Sequence, residues 1–403
     1  MNAFTKEDLA RFQAESLDDK FQRTLAKVGE WYMRLDNKVY VSFSGGKDST
    51  VLSDICARWC KIIEEPLYLV FVDTGLEYPE IRKFVNYFAQ WLRDKYDIEV
   101  ILEILRPEMR FDKVIKKYGY PLISKEISQN IYEGRGKPET RAYKKFEVDS
   151  DVANRCNGQF NLAKWKPLRD SDIPISHMCC HVMKKAPVKK YEKVTGRMPL
   201  IATLADESRL RATEWLKHGC NAYDAVRPRS VPMSFWTEQD VLKYIKEENI
   251  PIASVYGEVV EEENKLITTG CERTGCMFCA FGCHLEKSPT RFEKLKKTHP
   301  RQYEYCISGG EYGWSAKIKS SSKWRIFDFI KENGERMSPE EIEKFVEEHR
   351  SDDNYKFTKV WLPNQNGLGL GHVFDELNYM YGEGFIKYQS RSEWLDKLLG
   401  GDT

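Results

Sequence analysis

The chain has 403 residues, 41% of them hydrophobic, and a formal net charge of +1 at pH 7. Such a length accommodates two or three domains with a sizeable core, and a charge so near zero gives no case for the whole chain as a nucleic-acid or membrane-surface binder. No apolar run approaches the roughly 18 residues of a membrane span, and residues 1–20 are polar without the pattern of a secretory signal, so the expected location is the cytoplasm with no membrane partner.

Residues 5–35 carry helical periodicity in Leu9, Phe12, Leu17, Phe21, Leu25, Val28, Trp31, Tyr32 and Leu35. They predict an N-terminal helical segment, 1–37, ended by Asp36 and Asn37. Val39, Val41 and Phe43 then alternate as in a strand. The strand runs into Ser44-Gly45-Gly46-Lys47-Asp48-Ser49 and a helix whose apolar face holds Val51, Leu52, Ile55, Trp59, Ile62 and Ile63. Two glycines let backbone N–H groups crowd one anion. The helix N-terminus behind them favours a phosphate, and Lys47 adds a point charge. The spacing differs from the Walker loop, which needs a glycine four residues before Gly-Lys-Ser/Thr.

Residues 67–72 form a continuous apolar run, as in a buried parallel strand, and stop at Asp73 and Thr74. These two are expected to contact a ribose or orient the loop, with capping of the next helix weighted equally for Asp73. A helix at 78–93, a strand at 99–105 and a helix at 111–118 follow. The alternation predicts an α/β fold, a doubly wound and mostly parallel sheet with ligands at the carboxyl ends of its strands. Residues 124–170 are polar and read as a surface insertion or flap. Their Arg135, Lys137, Arg141, Lys144 and Lys145 are expected to be solvated, with a nucleic-acid or phosphate contact as the second reading.

A strand at 200–204 precedes Asp206-Glu207-Ser208-Arg209, which opens a helix. Arg209 and Arg211 are candidate anion ligands near the α-phosphate. A helix is expected at 237–248, a helix pair at 291–306, and a charged, helix-rich region at 311–403. The resulting domain expectation is 1–37 helical, 38–265 nucleotide-binding α/β, 266–310 cysteine-rich, and 311–403 helical.

Eleven cysteines in a chain without a visible signal favour metal or redox use over disulfides. Cys56 and Cys60 fall one turn apart on the first core helix and are expected in the core. Cys271-x4-Cys276-x2-Cys279-x3-Cys283 is dense and flanked by glycines. Together with adjacent Cys179 and Cys180 it offers six thiols to a centre that needs four. Zinc is one solution. The adjacent pair favours an iron–sulfur cluster, and Lys184 and Lys185 are candidates for neutralising it.

The loop 44–49 resembles the pyrophosphate loop of the adenine nucleotide alpha-hydrolase superfamily. The ordered set of SGGKDS, VDTGLEYPE, CC-x3-K-x2-P, DESRLR, Trp236-Thr237-x2-Asp240-Val241 and Cys276-x2-Cys279 resembles the phosphoadenosine phosphosulfate / adenosine phosphosulfate reductase family, over roughly residues 38–300. The resemblance implies an adenine nucleotide, ATP or adenylyl sulfate with Mg as an optional ion, held by Ser44, Gly45, Gly46, Lys47, Asp48, Ser49, Asp73, Thr74 and Arg209. It also implies a [4Fe–4S] cluster on Cys179, Cys180, Cys276 and Cys279, and a thioredoxin-like electron donor or a sulfur donor as partner. No catalytic residue is assigned. The chain departs from the reductase pattern twice: no cysteine follows Cys306, and Ala202-Thr203-Leu204 stands where the family has Gly-x-Arg. An ATP-dependent sulfurtransferase of the DNA phosphorothioation or tRNA thiolation type, with a nucleic acid as one acceptor, accommodates both departures. A nucleotide- and cluster-binding regulatory module without turnover is the third reading.

Overall fold

The computed structural model describes residues 3–155, 161–320 and 323–389; Cys156 and the end of the expected C-terminal helical region, 390–403, lie outside them. The chain divides into two compact units, Met1–Glu108 with Lys184–Cys276, and Met109–Met183 with Met277–Thr403. The division falls inside the cysteine-rich segment, between Cys276 and Met277.

The first unit is built on a six-stranded sheet in the order Val100–Leu105, Leu67–Val72, Val39–Ser42, Met198–Leu200, Arg229–Ser230, Asn221–Ala222. All neighbours run parallel except the last pair. Val41 sits at the centre, opposite Leu69 on one side and Leu200 on the other. Both sheet faces are covered, as an all-parallel core requires. On one, Phe43 packs against Phe84 and Phe88 of helix Pro79–Tyr96. On the other, Tyr40 and Val70 cluster with Tyr191 of helix Ala186–Thr195. The mixed α/β, mostly parallel architecture is the one expected. Cys56 and Cys60 are buried in helix Lys47–Ile63, also as expected.

The N-terminal segment is two helices, Lys6–Gln13 and Leu17–Arg34, rather than one. The break is local chemistry: the Ser16 hydroxyl accepts from the Asp19 N–H and caps the second helix. The stretch from Trp236 to Val241 turns out to be architectural. Thr237 and Asp240 form a reciprocal capping box at the start of helix Glu238–Glu247. Asp240 also pairs with buried Lys20 at 2.7 Å, and the Trp236 indole N–H donates to Thr24 Oγ1 at 2.8 Å. The motif pins helix Leu17–Arg34 to the core.

In the second unit, residues 124–170 depart from the irregular flap expected. They hold helices Lys125–Gly134, Arg141–Lys144 and Lys166–Asp170. Arg135 is half-buried and its guanidinium donates to the carbonyls of Leu168, Arg169 and Ile173, at 2.8, 2.6 and 2.6 Å. A polar loop by composition is thus folded around one planar fork that satisfies the end of a helix. The helix pair Arg291–Thr298 and Pro300–Ile307 forms as expected.

The region after 311 is not purely helical. It carries a three-stranded antiparallel sheet, Lys323–Phe327, Glu311–Ser320, Tyr355–Leu362, beside helices Pro339–His349 and Leu370–Tyr381. Trp314, Ala316 and Ile318 alternate with Ser315, Lys317 and Lys319, a period of two that the surrounding charge masks. No helix among the described residues is long and apolar enough to cross a membrane.

Candidate nucleotide site

Strand Val39–Ser42 delivers the chain into loop 44–49, which is tied to the start of helix Lys47–Ile63 by its own polar groups. The Ser44 N–H donates to Ser49 Oγ at 3.2 Å, and the two hydroxyls lie 3.0 Å apart. The Gly46 N–H donates to Ser44 Oγ, while the Gly46 carbonyl accepts from the hydroxyls of Ser49 and Thr50 at 2.9 and 3.0 Å. Gly45 has φ +70°, and a Cβ there would stand 2.9 Å from Ile81 Cγ2. Only glycine meets both demands.

The loop opens on a cavity of about 490 Å³. Ser44, Gly46, Lys47 and Asp48 form one wall, Ala202 and Leu204 another. Lys47 is 7% exposed. Its ammonium lies 3.1 Å from Glu238 Oε1 and 5.6 Å from the centre of the Tyr256 ring. Arg211 and Arg273 complete the basic wall, and both pair with Glu207. The Tyr256 hydroxyl meets Thr274 Oγ1, and burial pushes that phenol up to about 12. Burial also raises the Asp48 carboxyl, against the opposing pull of Lys47, Arg273 and Arg211. Burial and the neighbouring Arg273 lower the Arg211 guanidinium. Lys47, Arg211 and Arg273 face Asp48, Asp206, Glu207, Glu238 and Glu272, so the lining has more carboxylates than cations.

Of the residues expected to hold the nucleotide, Ser44, Gly46, Lys47 and Asp48 line this cavity, while Gly45 and Ser49 are buried within the same loop. Asp73 and Thr74 are engaged in the turn ahead of helix Pro79–Tyr96. Asp73 accepts from the Gly75 N–H at 3.1 Å and from Arg82 at 2.8 Å, and the Thr74 hydroxyl donates to Glu77 at 2.8 Å. Arg209 is exposed at the first position of helix Arg209–His218, behind the Ser208 cap. Arg211, two residues further along the helix, reaches the cavity. Tyr256, Glu238, Glu272, Arg273 and Thr274 were not singled out by the sequence. Arg273 and Thr274 sit between cysteines, and the thiol spacing dominated that stretch.

The cysteines fall in both units. Cys271 and Cys276 belong to the first, and Cys179, Cys180, Cys279 and Cys283 to the second. In the second, Cys179 Sγ and Cys180 Sγ are 3.9 Å apart on the turn Met178–Cys180. Burial raises the Cys279 thiol, with Cys180 close enough to add to the rise and Arg291 opposing it. Burial likewise pushes Cys283 up to about 12, and its Sγ–H donates to the Ala280 carbonyl at 3.0 Å. Arg291 donates to the Cys279 carbonyl at 2.8 Å. Thiols beside a guanidinium are the donor chemistry an iron–sulfur centre uses. Among the described residues no three His, Cys, Asp or Glu side chains are gathered to hold a metal ion, so no step below is routed through a cluster.

The model of the phosphoadenosine phosphosulfate reductase domain matches residues 38–153 and 140–281, more than half of the chain. The chain belongs to that family. The domain falls within the adenine nucleotide alpha-hydrolase-like superfamily, and loop 44–49, which opens on the cavity above, lies inside the matched residues. Among curated relatives, two uncharacterized proteins of Methanocaldococcus jannaschii are similar. One is 34% identical over 118 residues, 28% of this chain and 26% of the relative. The other is 24% identical over 294 residues, 72% of this chain and 45% of the relative. Sulfate adenylyltransferase subunit 2 of Methylobacterium radiotolerans is 39% identical over 72 residues, 17% of this chain and 23% of that protein. The chain thus spans less than half the length of each. A solved NMN synthetase from Francisella tularensis overlaps 59% of this chain and 72% of its own at 12% identity, with a TM-score of 0.30.

Proposed function

We propose that this family member is an enzyme of adenine-nucleotide-dependent sulfur chemistry. Loop 44–49 holds the pyrophosphate or phosphosulfate through backbone N–H groups, the Ser44 hydroxyl and the Lys47 charge. The observation that carries this reading is the self-tied loop at the mouth of helix Lys47–Ile63, opening on a cavity with Lys47, Arg211 and Arg273 on its walls. A [4Fe–4S] cluster on Cys179, Cys180, Cys276 and Cys279 is part of the proposal. When bound it would supply electrons or a labile sulfur, with Arg291 offsetting its charge. Iron and sulfide counts on anaerobically purified protein and on Cys279→Ser test that part separately.

Two reactions fit the nucleotide. In reduction, a dithiol donor of the thioredoxin kind supplies two electrons, the phosphosulfate O–S bond breaks, and sulfite and the nucleoside phosphate leave. In ATP-dependent transfer, an acceptor oxygen attacks the α-phosphorus and pyrophosphate leaves; hydrosulfide from a sulfide-level sulfur donor then attacks the activated acceptor, and AMP leaves carrying the acceptor's oxygen. Two observations favour the second. Leu204, buried at 3% exposure, lines the cavity where the reductases carry arginine. The carboxylate-rich lining suits a polyphosphate that arrives with Mg better than a bare sulfonucleotide. The likeness to a sulfate adenylyltransferase subunit points the same way, toward adenylyl transfer. Anaerobic incubation with adenosine phosphosulfate, its 3′-phospho form, or ATP with Mg and candidate acceptors separates the two. Sulfite release from a sulfonucleotide supports reduction, and AMP with pyrophosphate, dependent on acceptor, supports transfer. No nucleotide binding at all, with Lys47→Ala indistinguishable from wild type, would sink both.

A further inference from the structure

The strands Glu311–Ser320, Lys323–Phe327 and Tyr355–Leu362 carry six cations, Lys317, Lys319, Lys323, Arg325, Lys356 and Lys359, against one carboxylate, Glu311. In a chain of net charge +1 this is a strong local excess. The antiparallel register sets Lys317 directly across from Lys356, and Lys319 directly across from Trp324. One sheet face, with Trp314, Ala316, Phe327 and Phe357, packs against Val346 and Phe345 of helix Pro339–His349. Side chains alternate between faces, so Lys317, Lys319, Lys356 and Trp324 share the other one.

Lys356 Nζ stands 4.6 Å from the centre of the Trp324 ring. Among the described residues none of Lys317, Lys319 and Lys356 has a carboxylate within ion-pair distance. Like charges directly opposite on adjacent strands destabilise a sheet. Lys317 is also partly buried, which lowers its ammonium first, and the neighbouring cations Lys137, Arg135 and Lys356 repel it and lower it further. A ligand that brings distributed negative charge removes that repulsion. One that also brings a flat ring uses the part-exposed indole beside it.

The geometry points to this sheet face as a docking surface for single-stranded nucleic acid, with phosphates on Lys317, Lys319 and Lys356 and a base against Trp324. A single strand fits better than a duplex because the indole needs an unstacked base. The surface goes beyond the nucleotide reading and stands or falls without it.

The test is fluorescence anisotropy of the full chain with a labelled single-stranded oligonucleotide of about 20 nucleotides, over a range of salt. The Lys317→Glu, Lys356→Glu double variant is expected to weaken binding at least about tenfold and to lower the log–log salt slope by about 1.4, two phosphates at about 0.7 each. Trp324→Ala is expected to weaken binding roughly 5- to 150-fold, with Trp324→Phe recovering most of it. Lys344→Glu, on the exposed side of helix Pro339–His349, is expected to change nothing. An unchanged melting temperature and far-UV circular dichroism spectrum in each variant show that the fold is intact, so each loss of binding reads on the lysine pair or on Trp324 separately. Equal loss in Lys344→Glu, duplex binding as tight as single-strand binding, or binding to phosphatidylserine vesicles that the oligonucleotide does not compete with would overturn the proposal.

Discussion

Lys47 and Asp48 are neighbours in sequence with opposite duties. The Lys47 ammonium is held 3.1 Å from Glu238 at the cavity wall, and a charge-assisted bond to a phosphate is worth about 1.5–3 kcal/mol. Lys47→Ala is therefore expected to weaken adenine-nucleotide binding roughly 10- to 100-fold by calorimetry, with Lys47→Arg recovering part of it. Asp48 reports on pH. Burial raises its carboxyl above the unfolded value, so the folded state binds the proton more tightly than the unfolded chain. The associated stability is full below the unfolded pKa and is lost as pH rises through the folded one. Asp48→Asn removes this term. Urea titrations at acid and neutral pH are expected to show a smaller decline toward neutrality in the variant than in the wild type.

At the scale of elements, helix Lys47–Ile63 is anchored by Asp54, which is 0% exposed. It accepts from the hydroxyls of Tyr96 and Tyr244 at 2.7 and 2.8 Å, and from Arg58 and Lys95 at 3.2 Å each. Removing it takes an acceptor from four donors on three helices, of which Arg58 keeps Tyr96 and Glu248 as partners. Asp54→Ala is expected to cost about 3 kcal/mol in urea denaturation, and Asp54→Asn less. Nothing in the sequence marks Asp54, because apart from Arg58, one turn along the same helix, its partners lie dozens of residues away. Loop 44–49 was legible for the converse reason: strand, glycine pair and helix start are contiguous. Tyr256, Glu272 and Arg273 reach the same cavity only through long-range packing, so the far wall was not readable. The strand expected at 200–204 is Met198–Leu200, and its middle residue, Pro199, is one that disfavours a central strand. It is tolerated since its missing donor would face the Arg229–Ser230 side, where pairing begins only at Leu200. The charge of strand Glu311–Ser320 hid its alternation in the same way.

For the molecule as a whole, the decisive fact is that the first unit is assembled from two separated stretches of chain. Its innermost strand, Val39–Ser42, pairs early in the sequence with Leu67–Val72 but finds its other neighbour only in Met198–Leu200. A chain stopped at residue 183 would leave Val39, Tyr40 and Val41, each 0% exposed in the folded protein, along an open edge. Such a fragment is expected to sediment as aggregate, whereas the full chain stays in the supernatant after the same expression and spin.

Order of arrival at the ribosome turns that geometry into a timetable. The nascent chain must carry a half-zipped centre past all of residues 109–183 before the closing strand emerges. Elongation through that interval is when the protein is most exposed to capture by holdases, and slowing translation there should lower its yield more than slowing it anywhere after residue 230.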